Sequence, residues 1–330
     1  MADYKGIKGF KVTSIAGDPT NKVVGDVYYD TTANALKFVG AAAGVWAAGT
    51  AMSTSRKNFG GSGTKTAALM WGTDAPAPVM ATNSKKTELW NGTAWTEMND
   101  TNHARYGLGS AGQVQSASFS AGGSKPSEPQ AKCETWDGTN WTEIADLNTA
   151  RMALKGGAGT SSLGLIAGGY DAPAFVGAAE QWNGTSWSEL TALTVARGDP
   201  RVSGATTSAV ICTGGYSDPA TYNDICETWN GTSWTEENDM TYSAYSQGGS
   251  GTTASALRWA GQALPASVAT TIKWNGTVWA ADSDLGAATI NVGCSSQSAT
   301  AALSTGGTTD GTAVEEWTYA DTNIKTVTVS

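Results

Sequence analysis

The chain of 330 residues holds 41 Gly, 15% charged residues and a formal net charge of −9. Such a composition favours many short strands over long helices. The acidic balance argues against a nucleic-acid partner, which requires a basic stripe, and gives no pull toward anionic lipid. No stretch approaches the ~20 apolar residues of a membrane span, and Met1 to Lys11 has no apolar signal segment, so a protein made in a cytoplasm and not inserted in a membrane is expected.

In chain order, residues 1–24, with Lys5, Lys8 and Lys11 among Gly and Tyr, read as an N-terminal arm suited to anchoring. Residues 25–50 read as a short strand, Gly25 to Asp30, and a degenerate hairpin, Asn34 to Thr50, carrying Trp46. From there one unit recurs. Its clearest copy is E-Q-W-N-G-T-S-W-S-E, Glu180 to Glu189, in which two Trp-bearing strands meet at Asn183-Gly184. Asn-Gly suits a two-residue type I′ turn, which needs φ > 0 at both positions. Copies stand at Trp90/Trp95, Trp136/Trp141, Trp229/Trp234 and Trp274/Trp279, with a partial one at Trp317. The first Trp recurs at steps of 43 to 47 residues.

Before each hairpin lie a Gly-rich stretch such as Arg151 to Thr160, suited to a crowded inner strand, and an apolar stretch such as Leu163 to Gly169 that ends in a double Gly. Four short strands per unit at this period predict an all-β fold, a β-propeller of kelch-like blades over residues 25–330. Its degenerate first blade is residues 25–50 and its last blade residues 289–330, where Glu315 to Trp317 lacks the Asn-Gly turn and the tail, Lys325 to Ser330, alternates as a strand. Seven blades, with 25–50 as an atypical one, are slightly favoured. The alternative is six, with the N-terminal hairpin completing or capping the last.

The second Trp of each pair (Trp95, Trp141, Trp187, Trp234, Trp279) is the candidate ligand-binding residue, since an exposed Trp is a platform for sugar rings; the competing role is packing between blades. The sequons at Asn91, Asn183, Asn230 and Asn275 are turn residues, because Asp137 replaces Asn in one copy and keeps the turn. Arg56, Arg105, Arg151 and Arg197 open the inner strands, and Glu88, Glu134, Glu180 and Glu227 precede the first Trp by two. The unit with Ser243 and Ile272 loses both, which fits buried ion pairs within or between blades, whereas the next unit, with Thr289 but Glu315 retained, breaks that pattern. The rival is a ring of Arg reading an anion at the channel mouth. The four Cys (Cys133, Cys212, Cys226, Cys294) lack disulfide or CxxC spacing and read as buried strand residues.

His103 is the single histidine, which excludes His-rich metal sites. There is no G-x-S-x-G elbow and no P-loop. The expectation is therefore no enzyme, no catalytic, metal or cofactor-binding residue and no cofactor.

The repeat A-R-x4-G-G-x-G-T…A-L…G-G…E-T-W-N-G-T-x-W resembles kelch-like repeats in virion proteins of marine bacteriophages, cyanophages especially. The run from Gly25 to Trp46 is similar to a segment common at the start of such proteins. The resemblance implies a non-enzymatic virion structural protein of the tail fibre, tail surface or another outer surface. It would serve host attachment or docking, with other virion proteins and a host glycan or receptor as partners, within an oligomeric assembly. A lectin-like glycan-binding propeller and a carboxylate glycoside hydrolase are the alternatives. The loops Thr73 to Lys86, Ser124 to Lys132, Tyr170 to Ala179, Tyr216 to Ile225 and Gln262 to Thr271 share little sequence on a repeated frame, as recognition loops do.

Overall fold

The computed structural model describes residues 12–20, 26–40, 43–74, 84–218, 221–295, 298–319 and 323–327. Every regular element among them is a strand. The arm's Lys5, Lys8 and Lys11 lie outside the described residues, as does most of the loop after Thr73.

The strands fall into two compact units, Met1–Gly44 with Tyr319–Ser330 and Val45–Thr318. The smaller holds one four-stranded sheet of Thr13–Ile15, Val27–Asp30, Ala35–Gly40 and Asn323–Thr326. Its buried Asp30 accepts the N–H groups of Gly17, Thr32 and Ala33 and an Nζ–H of Lys37 at 2.8 Å. The Lys37 bond first, and the backbone donors after it, hold this carboxyl well below the usual carboxylate range.

The larger unit is the propeller; among the described residues it holds five four-stranded antiparallel sheets and one five-stranded sheet that carries an added parallel strand, Lys155–Gly156. In the first, Gly60–Thr64, Ala67–Trp71, Thr87–Trp90 and Trp95–Met98 run from the inner to the outer strand. The inner strands are Gly, Ser and Ala because neighbouring blades leave no room for more. A Cβ on Gly60 would lie 2.6 Å from Leu108 Cδ1, and one on Gly109 2.7 Å from Ile166 Cγ2. The second strands, such as Gly164–Ala167, are buried from end to end.

The N-terminal stretch corrects one expectation. Residues 25–50 do not fold as one blade. Val27–Asp30 and Ala35–Gly40 belong to the smaller unit's sheet, whereas Gly44–Ala48 is the outer strand of the sixth propeller sheet, beside Val314–Tyr319. An early strand thus completes the last blade, which satisfies an edge that would otherwise be open.

The hairpin turn differs as well. Trp90 pairs with Trp95 and Trp182 with Trp187, so the loop is four residues long. The Gly alone has positive φ, 90° at Gly92 and 93° at Gly184. Asn91 stays in an ordinary conformation because its Oδ1 accepts two backbone N–H groups, of Thr93 and Ala94, each at 2.9 Å. Asp137 does the same for Thr139 and Asn140 at 2.8 Å. An acceptor oxygen is what the turn demands, and Asn and Asp both supply it.

Candidate functional site

The repeated residues turn out to build the frame. Arg56, Arg105, Arg151 and Arg197 are fully buried and ion-paired within their own blades, to Glu88 (3.0 Å), Glu134 (2.8 Å), Glu180 (2.8 Å) and Glu227 respectively. In three blades Arg Nη1 also donates to two carbonyls that flank the loop after the second strand, for example Gly168 and Ala178. The Glu accepts backbone N–H groups from the preceding connection, as Glu180 does from Asn148. Each pair ties a connection, a loop and a strand together. All four guanidiniums are buried in ion pairs within their blades, so the Arg ring at the mouth is set aside.

The fifth blade solves the problem differently. Its residue equivalent to Arg151 is Ala244, since both donate N–H to the loop before their strand and accept from a double-Gly position. The step from Trp234 is therefore ten, as in the other blades, and Ser243 is not the matching residue. The hydroxyl of Tyr242 approaches the carbonyls of Ala260 (3.3 Å) and Thr270 (3.4 Å), the two positions an Arg serves elsewhere. With no Arg at the position of Ala244 to pair, Ile272 stands where the other blades have Glu.

The candidate platforms are covered too. Trp141, Trp187, Trp234 and Trp279 are 5–7% exposed, and Trp95 is half-buried. Each touches the first Trp of its pair, with ring centroids 5.1–5.6 Å apart. Indole Nε1 donates from Trp95 to Thr50 O (2.9 Å), from Trp141 to Thr87 Oγ1 (2.9 Å), from Trp187 to Ala145 O and from Trp234 to Thr191 O (both 3.1 Å). Every one of these bonds reaches the preceding blade. Trp141, Trp187 and Trp234 thus fasten blade to blade and, like Trp279, are too covered to be a sugar platform, while Trp95 keeps part of its surface exposed. Burying one is worth roughly 4–6 kcal/mol at ~25 cal/mol/Å² before ordering is subtracted.

Departures from the repeat gather at one end of the propeller. There each inner strand begins and the loops between second and third strands emerge; bridges join the two, as Met152 to Tyr170 and Gly198 to Tyr216. Two residues after each Arg position stands a residue with left-handed backbone: Asn58, Gly107, Ala153, Asp199, Ser246 and Asn291, with φ from 47° to 62°. Backbone bonds run round these positions, from Asn58 N to Asn291 O, Gly107 N to Asn58 O, Asp199 N to Ala153 O and Asn291 N to Ser246 O. Ser246 Oγ donates to Asp199 Oδ2 at 2.6 Å. Non-Gly residues in this conformation cost of order 1–3 kcal/mol each, a strain that clusters at functional mouths.

Two residues on, the inner strand starts with Gly60, Gly109, Gly248 and Gly293, but the third and fourth blades have Lys155 and Arg201. Lys155 Nζ crosses the axis to Asn58 Oδ1 and Asn291 Oδ1. Its blade accommodates it by splitting the inner strand. Lys155–Gly156 pairs in parallel with Arg201–Val202 of the next blade, while Ala158–Gly159 stays at home.

Beside this axis runs a strip of half-buried aromatic rings over the third to fifth blades. Centroids are 5.1 Å apart for Tyr170 and Phe175, 4.8 Å for Phe175 and Tyr216, 4.9 Å for Tyr216 and Tyr245, and 4.8 Å for Tyr222 and Tyr245. Burial first, then the Asp199 charge, pushes the Tyr216 hydroxyl well above its usual range; burial pushes Tyr245 up to about 12. Both therefore stay neutral hydrogen-bonding groups. The strip ends at a cleft of about 460 Å³ lined by Tyr222, Tyr242, Ser243 and Leu264, the last 69% exposed. That volume suits a small molecule. The strip's loops, Tyr170 to Ala179 and Tyr216 to Ile225, are among those expected to carry recognition, but the axial Lys155 and Arg201 were not singled out. The signal for them was a charged residue where other copies have Gly.

No protein-family model and no curated protein matches the chain. Among solved structures it is similar to YjhT, with TM-score 0.68 and 10% identity over 83% of this chain and 99% of that one. The likeness shows the fold, and the chain is a kelch-like β-propeller in architecture. It also corrects the functional expectation. The solved structure it resembles is YjhT, and no family model or curated protein supports a phage virion role. The non-enzymatic phage virion protein is accordingly withdrawn.

Proposed function

We propose that this propeller is a binding module. Its ligand is a small polar molecule with one flat apolar face, laid on the Tyr170–Phe175–Tyr216–Tyr245–Tyr222 strip and reaching polar groups at the axis. The aromatic strip carries this reading: contiguous half-exposed rings on three adjacent blades offer stacking surface where the frame needs none. Asp199, Ser246, Asn58 and Asn291 next to it supply directional hydrogen bonds. Binding without turnover is the role we assign, because the carboxylate at the mouth, Asp199, has one oxygen engaged by Ser246. His103 serves elsewhere, with Nε2 3.0 Å from Glu143 Oε1 on an outer strand.

Saturation-transfer NMR against a panel of pyranoses and aromatic acids tests this. Wild type is expected to give transfer from at least one class, and a Tyr216→Ala/Tyr245→Ala double variant to lose it while remaining folded. Absence of transfer across the panel, or equal transfer in both proteins, overturns the proposal.

A further inference from the structure

Three cations follow one another from the axis into the ring: Lys155 beside Arg201, and Arg201 beside the buried Arg258. Lys155 and Arg201 stand opposite one another on paired parallel strands. Arg201 and Arg258 flank a single glycine: a Cβ on Gly249 would lie 2.7 Å from Arg201 Cγ and 2.7 Å from Arg258 Cδ. The Arg201 guanidinium also lies against Gly156, where a Cβ would come within 2.9 Å of Cζ.

The fold balances this charge only in part, through the Asp199 carboxylate near Lys155 and the Trp279 ring 5.8 Å from Arg258 Cζ. Among the described residues none of the three takes part in an ion pair. Arg258 is fully buried and donates to neutral acceptors, namely Thr213 Oγ1, Ser250 O (3.1 Å), Leu257 O (2.9 Å) and Ser203 Oγ (3.2 Å). Lys155, 3% exposed, bonds to two amide oxygens, and Arg201 Nε is buried with no partner. Asp199 is the nearby carboxylate, and it accepts from Ser246. Like charges directly opposite on paired strands destabilise, and a buried charge without a counterion is costly. Blade construction does not require these cations, since the positions matching Lys155 and Arg201 are Gly in the other four blades.

We propose that the axial channel binds an oxyanion, with Arg201 as the fork that holds it and Lys155 and Arg258 supplying the balancing field. A planar guanidinium with an unused Nε–H matches carboxylate or phosphate geometry. Burial, and then the Arg201 charge, pulls the Arg258 guanidinium down to about 10, in keeping with cations that lack a counterion. The oxyanion is a free inorganic one or the acid group of the ligand on the aromatic strip; in the second case the inference rests on the binding role proposed above.

Thermal unfolding in low-salt neutral buffer tests it, with sodium phosphate or sodium acetate added against sodium chloride of equal ionic strength. The melting temperature of wild type is expected to rise with the logarithm of phosphate or acetate concentration beyond the chloride control. Arg201→Gln should show only the general salt response and, without added oxyanion, should melt no lower than wild type, because a repulsion has gone. Arg201→Lys, which keeps the charge and loses the fork, should weaken the response about tenfold in concentration. ³¹P line broadening of phosphate, read directly, should follow the same order. Tyr216→Ala should retain the inorganic response, so a failure of the aromatic strip as a ligand site is separable from a failure of the oxyanion site. Response equal to chloride in wild type, or an undiminished response in Arg201→Gln, overturns the proposal.

Discussion

The outer hairpins and the axial mouth are built from opposite kinds of residue. The hairpins repeat: Trp, an Asx turn and Trp, with the indoles donating into the preceding blade and a buried Arg–Glu pair behind them. The mouth departs from the repeat at Lys155 and Arg201 and at the Tyr and Phe of the strip, all within the third to fifth blades. Residues that occur in every blade answer a demand every blade makes, namely closure against its neighbours. Residues that occur in two or three blades answer something else, and here they line one face. The fifth blade sharpens the contrast, because Tyr242 and Ile272 replace an ion pair there and still serve the frame.

The contrast can be broken by substitution, and the largest effect is expected in the frame. Arg151→Ala leaves Glu180 buried and unpaired and should cost about 3–5 kcal/mol in denaturant unfolding. The double change Arg151→Met/Glu180→Leu should recover most of that loss, as the fifth blade's Ile272 suggests. A double variant as unstable as the single one would show that the pair does more than balance charge. Next comes Trp187→Phe, which removes the bond to Ala145 O and should cost about 1–2 kcal/mol without changing ligand binding. At the mouth, Tyr216→Ala should cost about 1 kcal/mol, the worth of one aromatic contact, while removing binding. The smallest effect is chemical. Burial pushes the thiols of Cys133 and Cys226 up to about 12 and that of Cys212 to about 11, so none of the three is ionised near pH 8. A thiol reagent at that pH should therefore leave them unlabelled in the folded protein and label them fully in denaturant. Rapid labelling of native protein would place a thiol at the surface.

Much of the frame was legible from the residues. The Trp step announced the blades, and Asp137 in place of Asn marked a position that demands Asn or Asp, although the expected two-residue type I′ turn is a four-residue loop closed by the Asx oxygen. The closing strand was legible only as the less favoured alternative, since Gly44–Ala48 completes a sheet whose other strands begin at Gly293, and no local pattern reports a pairing so distant. The second Trp of each pair was ambiguous because spacing gives the strand but not which face the neighbouring blade covers. At the mouth, the break from Gly to Lys155 and Arg201 was visible in the repeat. The approach of Arg258, which lies on a different strand of another blade, to Arg201 follows only from the curvature of the ring.

A side-by-side titration tests the central claim that the ligand is held by the departures from the repeat and not by the repeat. The panel compound that gives the strongest saturation transfer with wild type is titrated onto Trp187→Phe and Tyr216→Ala under identical conditions. Wild-type affinity is expected for Trp187→Phe, with at least a tenfold loss, about 1.4 kcal/mol, for Tyr216→Ala. Loss in Trp187→Phe with retention in Tyr216→Ala would contradict the account and return the site to the hairpins.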